Sequence, residues 1–221
     1  MHIQEACVDK NSQICTMPLI QNFTTEYGNV GIWQIDSSEP VWYASLFQID
    51  PRTETAAHPR TSLQRKASRV LLAEMLGFVP ELEKDGDGRP KLSNSLLNVS
   101  ISHTDGFACV MLGNGPVALD VQAISPRILK LRERYLKESE QLMAPDMQLA
   151  TLLWAAKETA YKYKSTEKHD FREPISILHL NEDTIWAKLT VKEANYNLTL
   201  GYRWLPNAAL VFLESAELVS A

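Results

Sequence analysis

The stretch that organises the rest of the chain is Trp154-Ala-Ala-Lys-Glu-Thr-Ala-Tyr-Lys162. It lies within residues 147–164, which contain no Gly or Pro and place apolar residues at helical spacing, so we predict an amphipathic helix there. Trp154, Glu158 and Lys162 are four residues apart and stack along one line of that helix. A solvated Glu–Lys pair at the favoured spacing is one interpretation of this line. The alternative, indicated by a Trp that is costly to leave in water, is that this second face is also covered and that Glu158 and Lys162 line a cleft.

The composition describes an ordinary globular chain. Its 221 residues, 45% hydrophobic and 22% charged, suffice for one large domain or two small ones. A formal net charge of -5 argues against wholesale nucleic-acid binding. Three cysteines form neither an even set nor a CxxC pair, which predicts reduced thiols and no structural metal. No membrane-length apolar run and no signal peptide are present, so we expect a cytoplasmic protein without membrane partners.

The predicted elements alternate between strands and helices. We expect an irregular first 25 residues, a helix over 61–76 that ends at Gly77, a hairpin turn at Gly113-Asn-Gly-Pro116, and one helix over 127–140. The predicted strands cover residues 30–35, 42–49, 98–102, 107–112, 117–121, 171–177, 184–191 and 198–205, and an apolar segment follows at 208–213. This order predicts the α+β class, with two similar halves that meet near residue 118.

Several polar residues stand out in these elements. Asp120 and Gln122 share one face of their strand, and a buried carboxylate without a partner would cost several kcal/mol, so Asp120 should have a cation or a hydrogen-bond donor beside it. Ser102 and His103 are adjacent on a strand and point to opposite faces, which excludes a Ser–His nucleophilic pair formed by these two alone. The segment Asp85-Gly-Asp-Gly-Arg-Pro90 lacks the ligand positions of a calcium loop and predicts a turn.

Basic residues cluster on two of the predicted helices. The first carries Arg60, Arg65, Lys66 and Arg69, and the second carries Arg127, Lys130, Arg132, Arg134 and Lys137. Each cluster is typical of a solvated helix face. Each is also suited to hold an anionic ligand or to dock an acidic partner.

Together, two of these segments resemble the signature motifs of a known family. Val117-Ala-Leu-Asp120 followed by Trp154–Lys162 is similar to the paired motifs of the 4'-phosphopantetheinyl transferases, in particular the longer, surfactin-synthetase-activating type. Further segments resemble that family in the same order along the chain: Arg60-Thr61 with Arg69, Gly88-Arg89-Pro90, and residues 98–104, 135–140 and 171–177.

The resemblance implies a monomeric pseudo-dimer of two α+β halves. We place the half that binds coenzyme A at residues 1–117 and the half with the metal and catalytic residues at 118–221. The family moves the 4'-phosphopantetheine arm of coenzyme A onto a serine of an apo acyl or peptidyl carrier protein, and releases adenosine 3',5'-bisphosphate. Such proteins serve fatty-acid, polyketide or nonribosomal peptide synthesis and use Mg²⁺, with Mn²⁺ as the alternative.

The resemblance also assigns roles to individual residues. Asp120 and Glu158, with Gln122, would hold the metal, and Glu158 would act as the base toward the carrier serine. The implied catalytic residues are Asp120, His103, Glu158 and Lys162. The implied contacts of coenzyme A are Arg60, Thr61, Arg69, Gly88, Arg89, Pro90, Ser102, His103 and Lys162.

Two positions depart from the family pattern. Ala118 stands where Gly is common, and Gln122 stands where Glu is frequent, so one negative charge is missing from the expected metal shell. A protein that binds coenzyme A or the carrier without catalysis is therefore an alternative. Hydrolysis of a coenzyme-like pyrophosphate is a second one.

Overall fold

Strands and helices alternate along the chain in a computed structural model that describes residues 20–35, 59–164 and 172–220. The helices of this part are α1 (Pro59–Leu76), α2 (Pro126–Tyr135), α3 (Glu138–Met143) and α4 (Met147–Tyr163). The strands are β1 (Ile20–Thr24), β2 (Asn29–Gln34), β3 (Leu82–Lys84), β4 (Pro90–Leu92), β5 (Asn98–Thr104), β6 (Phe107–Gly113), β7 (Leu119–Ala123), β8 (Ile175–Leu180), β9 (Thr184–Val191), β10 (Ala194–Leu205) and β11 (Ala208–Ser220). The predicted α+β class is confirmed. Within the described ranges, none of the helices is both long and apolar enough to cross a membrane.

Two antiparallel sheets divide the chain near the predicted meeting point of the halves. The first sheet has the order β1-β2-β6-β5, and all its strands precede residue 114. The second has the order β7-β11-β10-β9-β8, and all its strands follow residue 118. A two-stranded ribbon, β3-β4, lies beside the first sheet and places Leu82 and Leu92 in its core.

Each sheet has one face against a helix and the other against its neighbour. Helix α1 packs on the first sheet, where Leu71 and Trp33 share a buried cluster. Helix α4 packs on the second sheet, where Leu153 and Leu200 share another. The remaining faces meet in a third cluster that includes Ile32 of β2, Met111 of β6, and Leu119, Val121, Leu210 and Phe212 of β7 and β11. Successive side chains of a strand point to opposite faces of its sheet, so one strand contributes residues both to the cluster under a helix and to the cluster between the sheets.

The hairpin predicted at Gly113–Pro116 is wrong. Strand β6 pairs with β2 and β5, whereas β7 pairs with β11, so the chain crosses from one sheet to the other between them. The residues at 113–116 favour a turn locally, but the partner of β7 is decided by the burial of its apolar side chains. Leu119 and Val121 reach the apolar layer between the sheets only when β7 lies beside β11.

Other predicted elements also differ from the structure, including β7, predicted at 117–121, and β10, predicted at 198–205. The helix expected over 127–140 is two helices, because Leu136 adopts an extended conformation (φ -101°, ψ 136°) that ends α2 and buries its side chain. Residues 20–24 form strand β1 instead of irregular chain, and β8 begins at residue 175, not at 171. The strand predicted at 42–49 lies outside the described residues. The turn after Asp85 is confirmed, since the Asp85 carboxylate accepts the backbone N–H groups of Asp87 and Arg89.

Helix α4 is buried on nearly all sides, although the sequence indicated one apolar stripe. Its Lys157 is 0% exposed and forms an ion pair of 2.7 Å with Glu140 of α3. The Lys157 Nζ also donates to the Ile175 carbonyl, and Glu140 Oε1 accepts the backbone N–H of Ile177. The pair therefore fixes α3 and α4 to the edge strand β8. Sequence reasoning missed it, because lysines are rarely buried and periodicity gives no sign of one.

We predict that Lys157→Met strongly destabilises the protein. The substitution leaves the Glu140 carboxylate buried without its cation, a loss of about 3–5 kcal/mol in comparable buried pairs. The measurement is the free energy of unfolding from urea titration, with Lys137→Met as the matched control. Lys137 bonds the partly buried Ser176 hydroxyl and is itself half-buried, so its loss should cost about 1 kcal/mol or less. Equal losses in the two variants would contradict the assigned role of Lys157.

Candidate active site

Side-chain hydroxyl groups of β5 join the two halves by accepting backbone N–H groups of β7, and these two strands are edge strands of different sheets. From Ser100 to Thr104 every second residue of β5 carries a hydroxyl, and each hydroxyl accepts a backbone N–H of β7. The backbone N–H groups of Leu119, Val121 and Ala123 donate to the hydroxyl oxygens of Ser100, Ser102 and Thr104, respectively. The N···O distances are 3.1, 3.2 and 3.0 Å. We call these three contacts the hydroxyl ladder. They satisfy β7 amides that no neighbouring strand pairs on that side, and they set the alignment of the halves.

Asp120 lies at the centre of this junction and is only 3% exposed. Its Oδ1 atom accepts the Ser102 hydroxyl at 2.7 Å and the Lys162 ammonium at 2.8 Å. Its Oδ2 atom accepts the side-chain amide of Gln122 at 3.1 Å. The expectation that a buried Asp120 needs a cation or donors is confirmed, and the partners come from both halves.

Lys162 connects the end of α4 to both strands of the junction. Besides Asp120, its Nζ donates to the carbonyl of Leu119 at 2.9 Å and lies 3.4 Å from that of Ile101. Within the described residues, Lys162 therefore forms its ion pair with Asp120 of β7, and not with Glu158, which precedes it by one turn of α4. Trp154 is covered by the edge of the Tyr135 ring at 4.7 Å between centroids. This line of α4 is therefore not a solvated surface, as one interpretation of the sequence had it.

Glu158 and His103 have altered acidities in this setting. Burial, together with the neighbouring Asp120 charge, raises the pKa of Glu158 from 4.5 to about 7, although Lys162 opposes the shift. Burial, Lys162 and Arg65 lower the pKa of His103, so its imidazole is neutral at pH 7. A carboxyl group with a pKa near neutrality can exchange a proton at physiological pH, as a general base must.

A cleft of about 560 Å³ opens beside Lys162. Four of the residues predicted to contact coenzyme A line it: Gly88, Arg89, Pro90 and Lys162. Gly88 has a positive φ of 80°, which allows the turn that presents Arg89 and Pro90 to the cleft. Ser100, Tyr161 and Tyr163 also line it, and sequence reasoning did not single them out.

The other predicted contact residues lie elsewhere. Thr61, Arg69, Ser102 and His103 do not belong to the cleft lining in the described part of the chain. Glu158, which the resemblance assigned to the metal and as the base, is also outside that lining. Thr61 and Arg69 lie on α1, and the side chain of Arg60 is outside the described residues. The structure thus brings Asp120, Gln122, Ser102 and Lys162 into direct contact, and Lys162 alone among these four also reaches the cleft.

The carboxylates suit a divalent cation of the hard type. Among the described residues no three His, Cys, Asp or Glu side chains form a group that would hold a metal without other ligands. However, Asp120 and Glu158 supply two carboxylates, Gln122 can add a carbonyl oxygen, and Mg²⁺ commonly keeps water or phosphate oxygens in its other positions. The Asp120 charge already raises the pKa of Glu158, and a cation between them would relieve that repulsion. The oxygen atoms of these three side chains are therefore a set of ligands that fits Mg²⁺.

We predict a pH-dependent stability that Glu158→Gln removes. In the folded, metal-free protein Glu158 keeps its proton up to about pH 7, whereas unfolded Glu158 loses it near pH 4.5. The unfolded state therefore binds fewer protons between these values, and the free energy of unfolding falls as pH rises through that window. At pH 8 in EDTA the variant should exceed wild type by about 1–3 kcal/mol. Urea titrations from pH 4 to 8 measure this, and parallel curves for the two proteins would contradict it.

Comparison with known proteins gives no family assignment. No protein-family model matches the chain, and no curated protein matches its sequence significantly. An assignment of function to this chain therefore depends on its residues and on the site that they form.

Proposed function

We propose that this chain is a 4'-phosphopantetheinyl transferase with the pseudo-dimeric fold of that family. The observation that carries the proposal is the Lys162–Asp120 ion pair of 2.8 Å, which joins the two sequence motifs that resemble the family signatures. These motifs are separated by more than 30 residues, and a chance likeness in sequence gives no reason for their side chains to meet in a buried junction. The nearby Glu158 completes the set of residues that transfer requires.

In the proposed reaction a carrier serine attacks the phosphorus that bears the pantetheine arm. The serine hydroxyl loses its proton to Glu158, which bound Mg²⁺ would keep ionised near neutral pH. A new serine O–P bond forms, the pyrophosphate P–O bond breaks, and adenosine 3',5'-bisphosphate leaves with the electron pair. Lys162 holds a positive charge beside the cleft and can stabilise the negative charge that develops on the phosphate oxygens.

The metal site would be formed by Asp120 and Glu158, with Gln122 as a neutral third group. Bound Mg²⁺ would supply electrostatic stabilisation of the pyrophosphate and of the leaving group. The Lys162 ammonium, the Ser102 hydroxyl and the Gln122 amide all donate to the Asp120 carboxylate, which is the anionic ligand in this proposal.

The cleft beside Lys162 supports a phosphorylated ligand. Its volume of about 560 Å³ lies within the range usual for small-molecule sites. Its charged lining residues are Arg89, Lys162, Asp85 and Asp87. The guanidinium group of Arg89 binds phosphate in a fork geometry. The rings of Tyr161 and Tyr163 line the cleft near Lys162. We propose that coenzyme A extends from this cleft to the carboxylates.

The direct test is intact mass of apo carrier proteins of fatty-acid, polyketide and peptide synthesis after incubation with the chain, coenzyme A and Mg²⁺. We expect a phosphopantetheine adduct with wild type and a rate at least about 100-fold lower with Glu158→Gln, because the base is lost. Glu182→Gln, an exposed carboxylate in a turn of the second sheet, is the control and should match wild type. No adduct on any carrier, with coenzyme A binding intact, would contradict transfer and favour the binding-protein alternative.

We predict that Gln122→Glu tightens Mg²⁺ binding and destabilises the metal-free protein. The substitution replaces the amide that donates to Asp120 Oδ2 with a third carboxylate, so repulsion rises until a cation binds. Isothermal titration with Mg²⁺ and unfolding in EDTA measure the two effects. An unchanged metal affinity would place Gln122 outside the metal shell.

We predict that reversing the charge of Arg127 and Lys130 impairs carrier docking alone. Both are exposed on α2, so their side chains are free to meet the acidic surface of a carrier. Arg127→Glu with Lys130→Glu should raise the KM for the carrier about tenfold and leave coenzyme A binding unchanged. Lys188→Glu, an exposed lysine of β9, is the control. An unchanged KM would remove α2 from the docking surface.

A further inference from the structure

The hydroxyl of Ser102 has a different place in the structure from the one that the sequence predicted. The resemblance assigned Ser102 to coenzyme A, but the residue is 7% exposed and lies outside the cleft lining. Its hydroxyl donates to Asp120 Oδ1 at 2.7 Å and accepts the backbone N–H of Val121 at 3.2 Å. One proton and one lone pair of the hydroxyl are therefore already used inside the protein.

We propose that Ser102 is a positioning residue for Asp120 and not a ligand of coenzyme A. The inference rests on the metal site of the proposed function. It adds that a side chain of the first half fixes the orientation of the metal-binding carboxylate in the second half.

Two contacts to adjacent residues give Ser102 this control. One goes to the side chain of Asp120 and the other to the backbone of Val121, so the carboxylate is held relative to its own main chain. Hydrogen bonds between a hydroxyl and a carboxylate are short and roughly twice as strong as neutral ones. The 2.7 Å contact belongs to this class.

The same contacts distinguish the two oxygens of Asp120. Oδ1 accepts hydrogen bonds from the Ser102 hydroxyl and the Lys162 ammonium. Oδ2 accepts a longer hydrogen bond from the side-chain amide of Gln122, a residue of the proposed metal shell. Ser102 and Lys162 together thus orient the carboxylate with Oδ2 toward Gln122. Side chains that orient metal ligands in this way typically change metal affinity or activity 10- to 100-fold when removed.

The experiment compares Ser102→Thr with Ser102→Val. The two side chains have the same branched shape, so any steric cost in the buried site is shared, and only the first keeps the hydroxyl. Mn²⁺ serves as a spectroscopic probe of the Mg²⁺ site, and its affinity is measured by electron paramagnetic resonance. We expect Ser102→Val to bind Mn²⁺ about 10- to 100-fold more weakly than Ser102→Thr. Coenzyme A affinity, measured by calorimetry in EDTA, should be the same in both.

The control for the hydroxyl ladder is Thr104→Val. This substitution removes the ladder contact to Ala123 but keeps the hydrogen bond from the Ser102 hydroxyl to Asp120. The Mn²⁺ affinity of Thr104→Val should therefore equal that of wild type. If Thr104→Val and Ser102→Val lose Mn²⁺ affinity equally, Ser102 acts only through the alignment of the halves, and the proposal is overturned.

Other outcomes also decide the question. The positioning role of Ser102 is overturned if the Thr and Val variants have equal Mn²⁺ affinities. It is also overturned if coenzyme A binding is lost in Ser102→Val alone, or if wild type does not bind Mn²⁺. Failure of the transfer reaction is a separate result. If no carrier is modified but the Thr and Val variants differ in Mn²⁺ affinity as expected, the positioning role stands and the proposed function does not.

Discussion

The constraint on which the rest of the structure depends is the buried charge of Asp120. A carboxylate that is 3% exposed needs charge and donors around it, and they come from Lys162 on α4, Ser102 on β5 and Gln122 on β7. Bringing these three together requires β5 and β7, the edge strands of two sheets that pack face to face, to lie side by side. The hydroxyl ladder permits this without backbone pairing between the two strands. The site and the junction of the halves are therefore one arrangement.

Helix α4 serves this arrangement in two directions. Adjacent residues of an α-helix point about 100° apart, so Lys157 and Glu158 face different surroundings. Lys157 is locked to Glu140 and the edge strand β8, which restricts rotation and sliding of the helix on its sheet. Glu158 then lies near Asp120, where burial and the neighbouring charge raise its pKa. A structural ion pair on one side of the helix thus helps to hold the Glu158 carboxyl group in its place near Asp120.

Sequence reasoning succeeded where the controlling pattern is local. The span of α4, the turn after Asp85 and the need of Asp120 for partners all follow from propensity, turn chemistry or the cost of burying charge. It failed where distant contacts decide. Gly113–Pro116 has the residues of a hairpin, yet β7 leaves β6 because its apolar side chains are buried beside β11. The ion pair of Lys157 has no local signal. The alternate hydroxyls at positions 100, 102 and 104 were visible in the sequence, but their acceptor role depends on a strand of the other half.

We propose that Asp120, Glu158 and Lys162 form one phosphoryl-transfer site at the junction of the halves. The most direct measurement is the anomalous scattering of Mn²⁺ in crystals grown with coenzyme A. We expect a manganese peak in contact with the carboxylates of Asp120 and Glu158. We also expect coenzyme A to lie with its phosphates at Lys162, extending from the cleft lined by Arg89. Manganese bound away from both carboxylates, or a coenzyme bound in another part of the molecule, would contradict it.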